Sequence, residues 1–376
     1  WQAFHSPLLA GFAVISHWLP HLLFGVIFGG LADRYDCRRI VQIAQGLFML
    51  ASLGWAIVII TGTLQPWNAV LLLSLHGLAS ALWGPAEQMM IYDIVGPEDL
   101  PSAVRLMATG LNLGMLVGPL IGAALLFTVG PAWGLLVNIA LYLPFIIYLG
   151  IVPYTGHTRA GQTPRPRLTL RQTFGVLGEI PRYPSVLTVF ILQGAVGLFI
   201  GTALLPLLPD FGELLGATGS GVGYGALIAA MSFGAVTAGV SLEAIGRIRA
   251  TAGLAIVSTI VFAASLIVFA LSHNLVLSVA MLVIAGMGNL TSASTSQAVV
   301  QLGAPADRRG RFLGAYSMTS MGLRLGSGVL IGVLASAFGP SVAIGVDAAA
   351  LLILATSLLA VVLVRRASAR PAATQP

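Results

Sequence analysis

Ionisable residues are scarce in this chain, and each one's position limits the chemistry it can do. Of 376 residues, 57% are hydrophobic and 8% are charged. The densest charged stretch is Asp33-Arg34-Tyr35-Asp36-Cys37-Arg38-Arg39, set between two long apolar runs. A carboxylate at such a helix end can cap the N-terminus of a neighbouring helix, and the arginines can pair with anionic lipid. The plainer alternative is a solvated turn whose arginines only fix topology. Inside the apolar runs lie His17, His21, His76, Glu87, Arg324 and Asp347. Ionisable groups are costly in such surroundings and mark functional positions by default. His17 and His21 are four residues apart and share a helix face; hydrogen-bonding to a buried neighbour is the alternative for both. Gln193, Asn289, Thr291, Ser292, Ser294 and Gln297 place polar groups where a small solute could be met, although Ser and Thr there also bond their own backbone. No metal, phosphate or catalytic constellation and no Walker loop occurs. Neither a cofactor, nor enzymatic chemistry, nor direct use of ATP is expected. The single cysteine, Cys37, excludes an intrachain disulfide and reads as a free cytosolic thiol without a chemical role.

The elements carrying these residues follow from hydropathy. The mean hydropathy is +0.95, and an ordinary soluble protein carries about 25% charged residues. Eleven apolar runs, roughly 8–31, 40–62, 68–95, 103–128, 131–152, 185–209, 221–243, 250–271, 274–299, 312–337 and 341–364, each suffice for a membrane-crossing helix of about 20 residues. All eighteen basic residues are arginine, and seventeen fall in alternate connecting segments. Those segments are expected to be cytoplasmic. The net charge of +6 is thereby explained by topology, and nucleic acid is not an expected partner. This orientation puts the C-terminus in the cytoplasm of a multi-pass protein of the inner (plasma) membrane and Trp1 outside. An external start implies a further helix upstream, twelve in all. The segment 154–184, rich in Arg, Thr and Pro, divides five runs from six and reads as a solvated linker, with a regulatory partner site as the alternative. The expected organisation is an amino-terminal helical bundle over 1–153, a linker over 154–184, a carboxy-terminal bundle over 185–364 and a tail over 365–376.

The two halves repeat. At an offset of 210, Gly29-x-x-x-Asp33-x-x-Asp36 meets Gly239-x-x-x-Glu243-x-x-Gly246, followed by Arg247 and Arg249. At 208, Pro97-Glu98-Asp99 meets Pro305-Ala306-Asp307, and Gly114 and Gly118 meet Gly322 and Gly326; at 209, Gly130-Pro131 meets Gly339-Pro340. A shared offset marks parallel repeats joined by a linker. Depth along the helices gives one more expectation. Arg324 lies 13 residues from Arg311 and Asp347 lies 7 from Pro340, so about 20 Å from one face and about 10 Å from the other of a core about 30 Å thick. Those depths coincide, and a buried ion pair between Arg324 and Asp347 is expected, since either charge alone is costly there.

The pattern Gly29-x-x-x-Asp33-Arg34 with Arg38-Arg39 resembles the signature loop between the second and third helices of major facilitator superfamily transporters. Asp36 stands where the pattern usually has glycine, and Cys37 where it has a basic residue. Gly110-Leu111-Asn112-Leu113-Gly114-Met115-Leu116-Val117-Gly118-Pro119-Leu120-Ile121-Gly122 resembles the antiporter motif of exporters in that superfamily, with Met115 where arginine is common. Glycines 114, 118 and 122 line one face and would let another helix approach closely, while Pro119 bends the helix. Gly84-Pro85-Ala86, the stretch Tyr92 to Leu100 and the stretch Pro305 to Arg311 resemble the enterobactin-exporter and macrolide-efflux branch. The resemblance implies an all-α polytopic fold of two pseudo-symmetric bundles with a substrate site between them. It implies that Asp33 meets the cytoplasmic start of the run 312–337, near Gly310 to Phe312, as a gate supported by Arg34, Arg38 and Arg39. Glu243 and Arg247 form the second copy. It makes Glu87 the first choice for proton coupling, ahead of His17 and His21. The implied activity is proton-coupled efflux of a small hydrophobic or amphipathic molecule, such as a drug or siderophore, by a monomer in contact with membrane lipid. A nutrient importer and a non-transporting sensor or scaffold are the alternatives.

Overall fold

The computed structural model describes residues 7–160, 169–201, 204–215, 222–246 and 248–368. Among them there is no strand. The helices run α1 (Pro7–Arg34), α2 (Cys37–Ile60), α3 (Pro66–Thr128), α4 (Pro131–Ile151), α5 (Leu170–Gly175), α6 (Pro184–Ala195), α7 (Leu204–Leu214), α8 (Val222–Ile245), α9 (Ala252–Leu271), α10 (Leu275–Gly303), α11 (Arg309–Ser317), α12 (Arg324–Phe338) and α13 (Pro340–Ser368).

Local chemistry sets the ends of these helices. The α3 helix is 63 residues long, about 95 Å at 1.5 Å per residue, three times what one crossing needs. It folds back at Gly96, whose φ of 77° only glycine adopts cheaply. Pro97 then opens the second part, its missing N–H costing nothing at a helix start. The same Gly-Pro device, with positive φ, joins α3 to α4 at Gly130 and α12 to α13 at Gly339. Side-chain caps start others: Asp36 for α2, Thr251 for α9 and Asn274 for α10.

Nine helices among the described residues are long and apolar enough to cross a membrane, or ten if a bent pair ending at Ile200 counts as one. Dividing α3 at Gly96 brings the crossings to the eleven runs of the sequence. The run 185–209 is not one helix. α6 passes into a π-helical segment, Val196–Ile200, which ends at Gly201, and α7 is a separate helix. A second π-helical segment, Met318–Gly322, separates α11 from α12. The two π segments pack on each other.

The helices α1 to α4 pack together through α1 on α3 and through α2 on α3 and α4; α8, α9, α10 and α13 form a second set. The sets meet through α1 on α11, α3 on α8 and α3 on α10. One buried cluster, including Val26, Ala32, Phe312 and Leu313, runs through both. The segment 170–182 departs from the expected solvated linker. It folds into α5 and two 3-10 turns, and Thr173, Val176 and Ile180 are buried.

Candidate functional site

The contacts between the two sets of helices concentrate at the arginine-bearing end. Asp33, next to last in α1, has a side chain only 2% exposed. Its Oδ1 accepts the backbone N–H of Gly310 (2.5 Å), and its Oδ2 accepts the backbone N–H (3.1 Å) and the Nε–H (2.9 Å) of Arg311. Those backbone groups belong to the first turn of α11, where a helix leaves its N–H donors without internal partners. The helices can approach this closely because glycines face each other. A Cβ on Gly29 would run into the carbonyl of Gly310, and one on Gly25 would lie 2.7 Å from the carbonyl of Gly314.

A related contact closes the other side. Glu243, near the end of α8, accepts from the Ser102 hydroxyl (2.5 Å) and from Arg105 Nε–H (2.7 Å) at the start of the second part of α3. Ser102 and Gly310 correspond at the repeat offset of 208, so each acid meets the equivalent helix start of the opposite half. Between them the Gln301 amide donates to Gln88 Oε1. The Arg309 guanidinium stacks 3.6 Å from the centre of the Tyr92 ring, and its Nε–H donates to the Gln301 carbonyl (3.0 Å). Arginine stacked on an aromatic face and amides bonded across the interface join the two sets of helices at this end.

The signature arginines take local partners instead. Arg38 pairs with Asp36 (2.8 Å) and donates to the Val152 carbonyl (2.6 Å). Arg39 donates to Gln42 (2.9 Å), and Arg34 lies over the Tyr35 ring. The cation beside Asp33 is Arg311. Arg247 lies outside the described residues. Asp36 caps α2 through the Arg38 N–H (2.9 Å). Burial raises its carboxyl, but the hydrogen bonds from Arg38 outweigh this and hold it below the usual carboxylate range. Cys37 is fully buried, its Sγ within 3.4 Å of the Ala32 carbonyl and covered by the turn at Gly156, so the expected cytosolic thiol is not exposed.

Sequence reasoning missed Asp93. Its carboxylate, 1% exposed, gathers the backbone N–H groups of Gly156 (2.9 Å), Thr158 (3.0 Å) and Arg159 (2.8 Å). It pins the chain leaving α4 to the end of the first part of α3. The signal was an acid three residues before Gly96-Pro97, where a carboxylate sits beside a turn.

The interior candidates divide. Glu87 is partly buried in α3, one residue before the Gln88–Gln301 contact. His21 is buried, its Nδ1 3.2 Å from the His17 carbonyl. His17 stacks on His76 (5.7 Å) and meets Trp18 edge-on (4.5 Å). His76 is thereby part of the same group. Asn289 and Gln297, half-buried on α10, lie on one face with Gln301, at spacings of eight and four. Gln193 is not among them. It donates to Ser292 (2.8 Å) and Ser296 (3.2 Å), and Ser292 also bonds Thr259 (2.6 Å). Its amide ties α6 to α10 and α9 inside one set of helices, since a buried amide must find partners. Thr291 and Ser294 bond their own helix. Among the described residues no group of His, Cys, Asp or Glu has the arrangement of a metal site.

Two further expectations fail. A Cβ on Gly114, Gly118 or Gly122 would meet no atom of the described residues within 4 Å, so these glycines seat none of the described helices, and the helix continues through Pro119. Arg324 and Asp347 form no ion pair. Arg324 lies over the Trp18 ring, 4.8 Å from its centre, facing α1. Asp347 shares a buried face of α13 with Ala343, Ile344, Ala348 and Leu351, packed with Phe262, Leu266 and Phe269 of α9. Equal depth did not bring them together because depth says nothing about direction around the helix.

Comparison with known proteins bears on this arrangement. A sequence-family model described as MFS_3, transmembrane secretion effector, matches residues 2–375. The chain is 24% identical over 368 residues to the enterobactin exporter EntS of Shigella boydii, covering 96% of this chain and 83% of that one. It is 29% identical over 127 residues to a Na(+), Li(+), K(+)/H(+) antiporter of Planococcus maritimus, a match spanning 32% of this chain and only 28% of the relative. Among solved structures, the human organic anion transporter MFSD10 superposes with a TM-score of 0.75 at 14% identity, covering 93% of this chain and 83% of that one. With the family model spanning nearly every residue and the same fold in a solved transporter, the chain belongs to the MFS_3 family of the major facilitator superfamily.

Proposed function

We propose that this protein is a proton-coupled exporter of a small hydrophobic or amphipathic organic molecule, of the siderophore or drug type, working by alternating access in the plasma membrane. The observation that carries the reading is the pair of acid-to-helix contacts at the arginine-bearing end. Two related contacts, each joining one repeat to the other, are what a molecule needs to hold one mouth shut while the other serves the solute. They take the place that the resemblance assigns to a gate, and the arginine bias makes this end cytoplasmic. The shut end then corresponds to the outward-facing state. The similarity to an enterobactin exporter over 96% of the chain supports the direction and the substrate class.

Glu87 is the proposed coupling group. It stands in α3 one residue before Gln88, which meets Gln301 of α10, and α10 also carries Asn289 and Gln297. A carboxyl that exchanges its proton as the gate opens couples proton entry to solute exit. The test is uptake into inside-out vesicles containing the purified protein, with a catecholate siderophore or a lipophilic drug as probe and an acid interior. Accumulation that collapses with the pH gradient is the expected result. Glu87→Gln should retain probe binding and lose the gradient-driven component. Gradient-driven uptake that persists unchanged in Glu87→Gln moves coupling to His17, His21 or His76, and uptake in neither protein removes the exporter reading.

A further inference from the structure

The segment after α4 crosses the seam that the gate closes. The Arg311 guanidinium, bonded to Asp33 through Nε, also donates from Nη1 to the Gln172 carbonyl and from Nη2 to the Asp307 carbonyl, both at 3.3 Å. Arg308, just before α11, places Nη1 2.6 Å from both oxygens of Glu179. Tyr183 meets Phe312 edge-on at 5.5 Å. These contacts fasten the segment to α11. On its other side α5 packs against α1. Val176 and Ile180 lie in the same buried cluster as Val26 and Ala32 of α1 and Phe312 and Leu313 of α11.

We infer that Leu170–Arg182 is a strap holding the gate shut, and that Glu179 is its positioning residue, fixing Arg308 and through it the start of α11 against Asp33. A bridge needs both fastenings. When α1 and α11 separate, the strap can stay with only one of them, so contacts made in the closed form are lost on opening. That difference biases the equilibrium toward the closed form. Arg159, held on Asp93, and Gln172 are 13 residues apart, a reach of roughly 40 Å when extended. The bias lies in the contacts, and the most separable of these is Glu179–Arg308, with side chains 26% and 35% exposed.

The inference rests on the closed gate and not on substrate or direction, so a distance measurement tests it. Spin labels on Ile43→Cys and Leu302→Cys, both exposed and at the arginine-bearing ends of α2 and α10, report the separation of the two sets of helices by double electron–electron resonance. Cys37, fully buried, does not compete for label. Glu179→Gln should raise the long-distance population about two- to fivefold, the range for a partly exposed pair. The exchange Glu179→Arg with Arg308→Glu should return it toward the parent value, which a merely structural loss would not. An unchanged distribution in Glu179→Gln overturns the strap, as does an exchange variant no closer to the parent than the single substitution. Asp33→Asn in the same labelled protein separates the two readings. A shift there without one in Glu179→Gln leaves the gate standing and removes the strap alone, whereas no shift in either removes the gate as well.

Discussion

Asp33 and Glu243 end corresponding helices of the two repeats, 210 residues apart, and each reaches the helix start that opposes it. Their contacts nevertheless differ in kind. Asp33 is buried and holds two main-chain N–H groups besides a guanidinium; Glu243 has a side chain 35% exposed and holds only side chains, Ser102 and Arg105. The glycines differ in the same sense. Gly29 faces the Gly310 main chain, whereas Gly239 faces the Thr109 hydroxyl. A contact made by main chain cannot adjust by a rotamer change, and a contact made by side chains can. One repeat therefore carries a buried contact made to main chain and the other a more exposed contact made to side chains, at matching positions of the pattern. If the first sets the energy of the closed form and the second trims it, matched substitutions should be unequal.

The largest inequality is expected at the glycines. Gly29→Ala puts a methyl into the Gly310 carbonyl, and neither backbone can yield without prising α1 from α11. Overpacking of this sort costs about 1–3 kcal/mol, here levied on the closed form alone, so transport should fall about five- to a hundredfold with the labelled ends shifted apart. Gly239→Ala meets Thr109, whose side chain can turn away, and should cost less than a third as much. Equal losses at Gly29 and Gly239 would break the comparison at its root.

The acids come next. Asp33→Asn removes the charge facing Arg311 and turns an amide N–H or a weaker acceptor toward donors that have no water to replace it. Hydrogen bonds to a buried charged group contribute about 1.5–3 kcal/mol, and losing one partner of a buried charge pair is costly. A ten- to hundredfold loss of transport is expected, with insertion and yield unaffected. Glu243→Gln keeps shape at a partly exposed site, where such pairs contribute about 0.2–1 kcal/mol, and transport should fall no more than about fivefold. Parallel transport and distance measurements on both variants check this. A Glu243→Gln protein as impaired as Asp33→Asn would show two equal gates.

The sequence made some of this legible and hid the rest for physical reasons. Apolar runs and Gly-Pro turns could be read because a bilayer permits little besides helices and tight reversals. The partner of Asp33 could be read only through the resemblance, since nothing in a single chain says which distant helix start an acid will meet. Arg324 and Asp347 misled because residue counting gives height along a helix and not azimuth. Gln193 misled in a similar way: a glutamine in an apolar run is equally apt to face a cavity or to find serines on the next helix. The strap was hidden because Arg, Thr and Pro between two bundles have the composition of a solvated tether. Its burial exists only once α1 and α11 are side by side. The open surroundings of Gly114, Gly118 and Gly122 have the same lesson, since a small-residue face states that a helix can approach, not that one does.

The smallest expected effect sharpens the comparison inside the signature loop itself. Asp36, three residues after Asp33, caps α2 and pairs with Arg38; the second repeat has Gly246 there, with a φ of 102° and no side chain to cap with. Losing such a cap costs about 1 kcal/mol, so Asp36→Ala should lower the midpoint of thermal unfolding in detergent by about 2 °C. It should leave the labelled ends of the gate where they are. The pH dependence follows from the carboxyl being held below its ordinary value. A group whose value is depressed in the folded protein stabilises fully above its unfolded value, near pH 4, and loses that contribution as the pH falls through the depressed one. The difference between parent and Asp36→Ala should thus be constant from pH 7 to about pH 4 and shrink only below it. A transport defect in Asp36→Ala comparable to that of Asp33→Asn would mean that the loop acts as one unit. The contrast between a main-chain and a side-chain contact would then have to be drawn between whole loops, not between two acids.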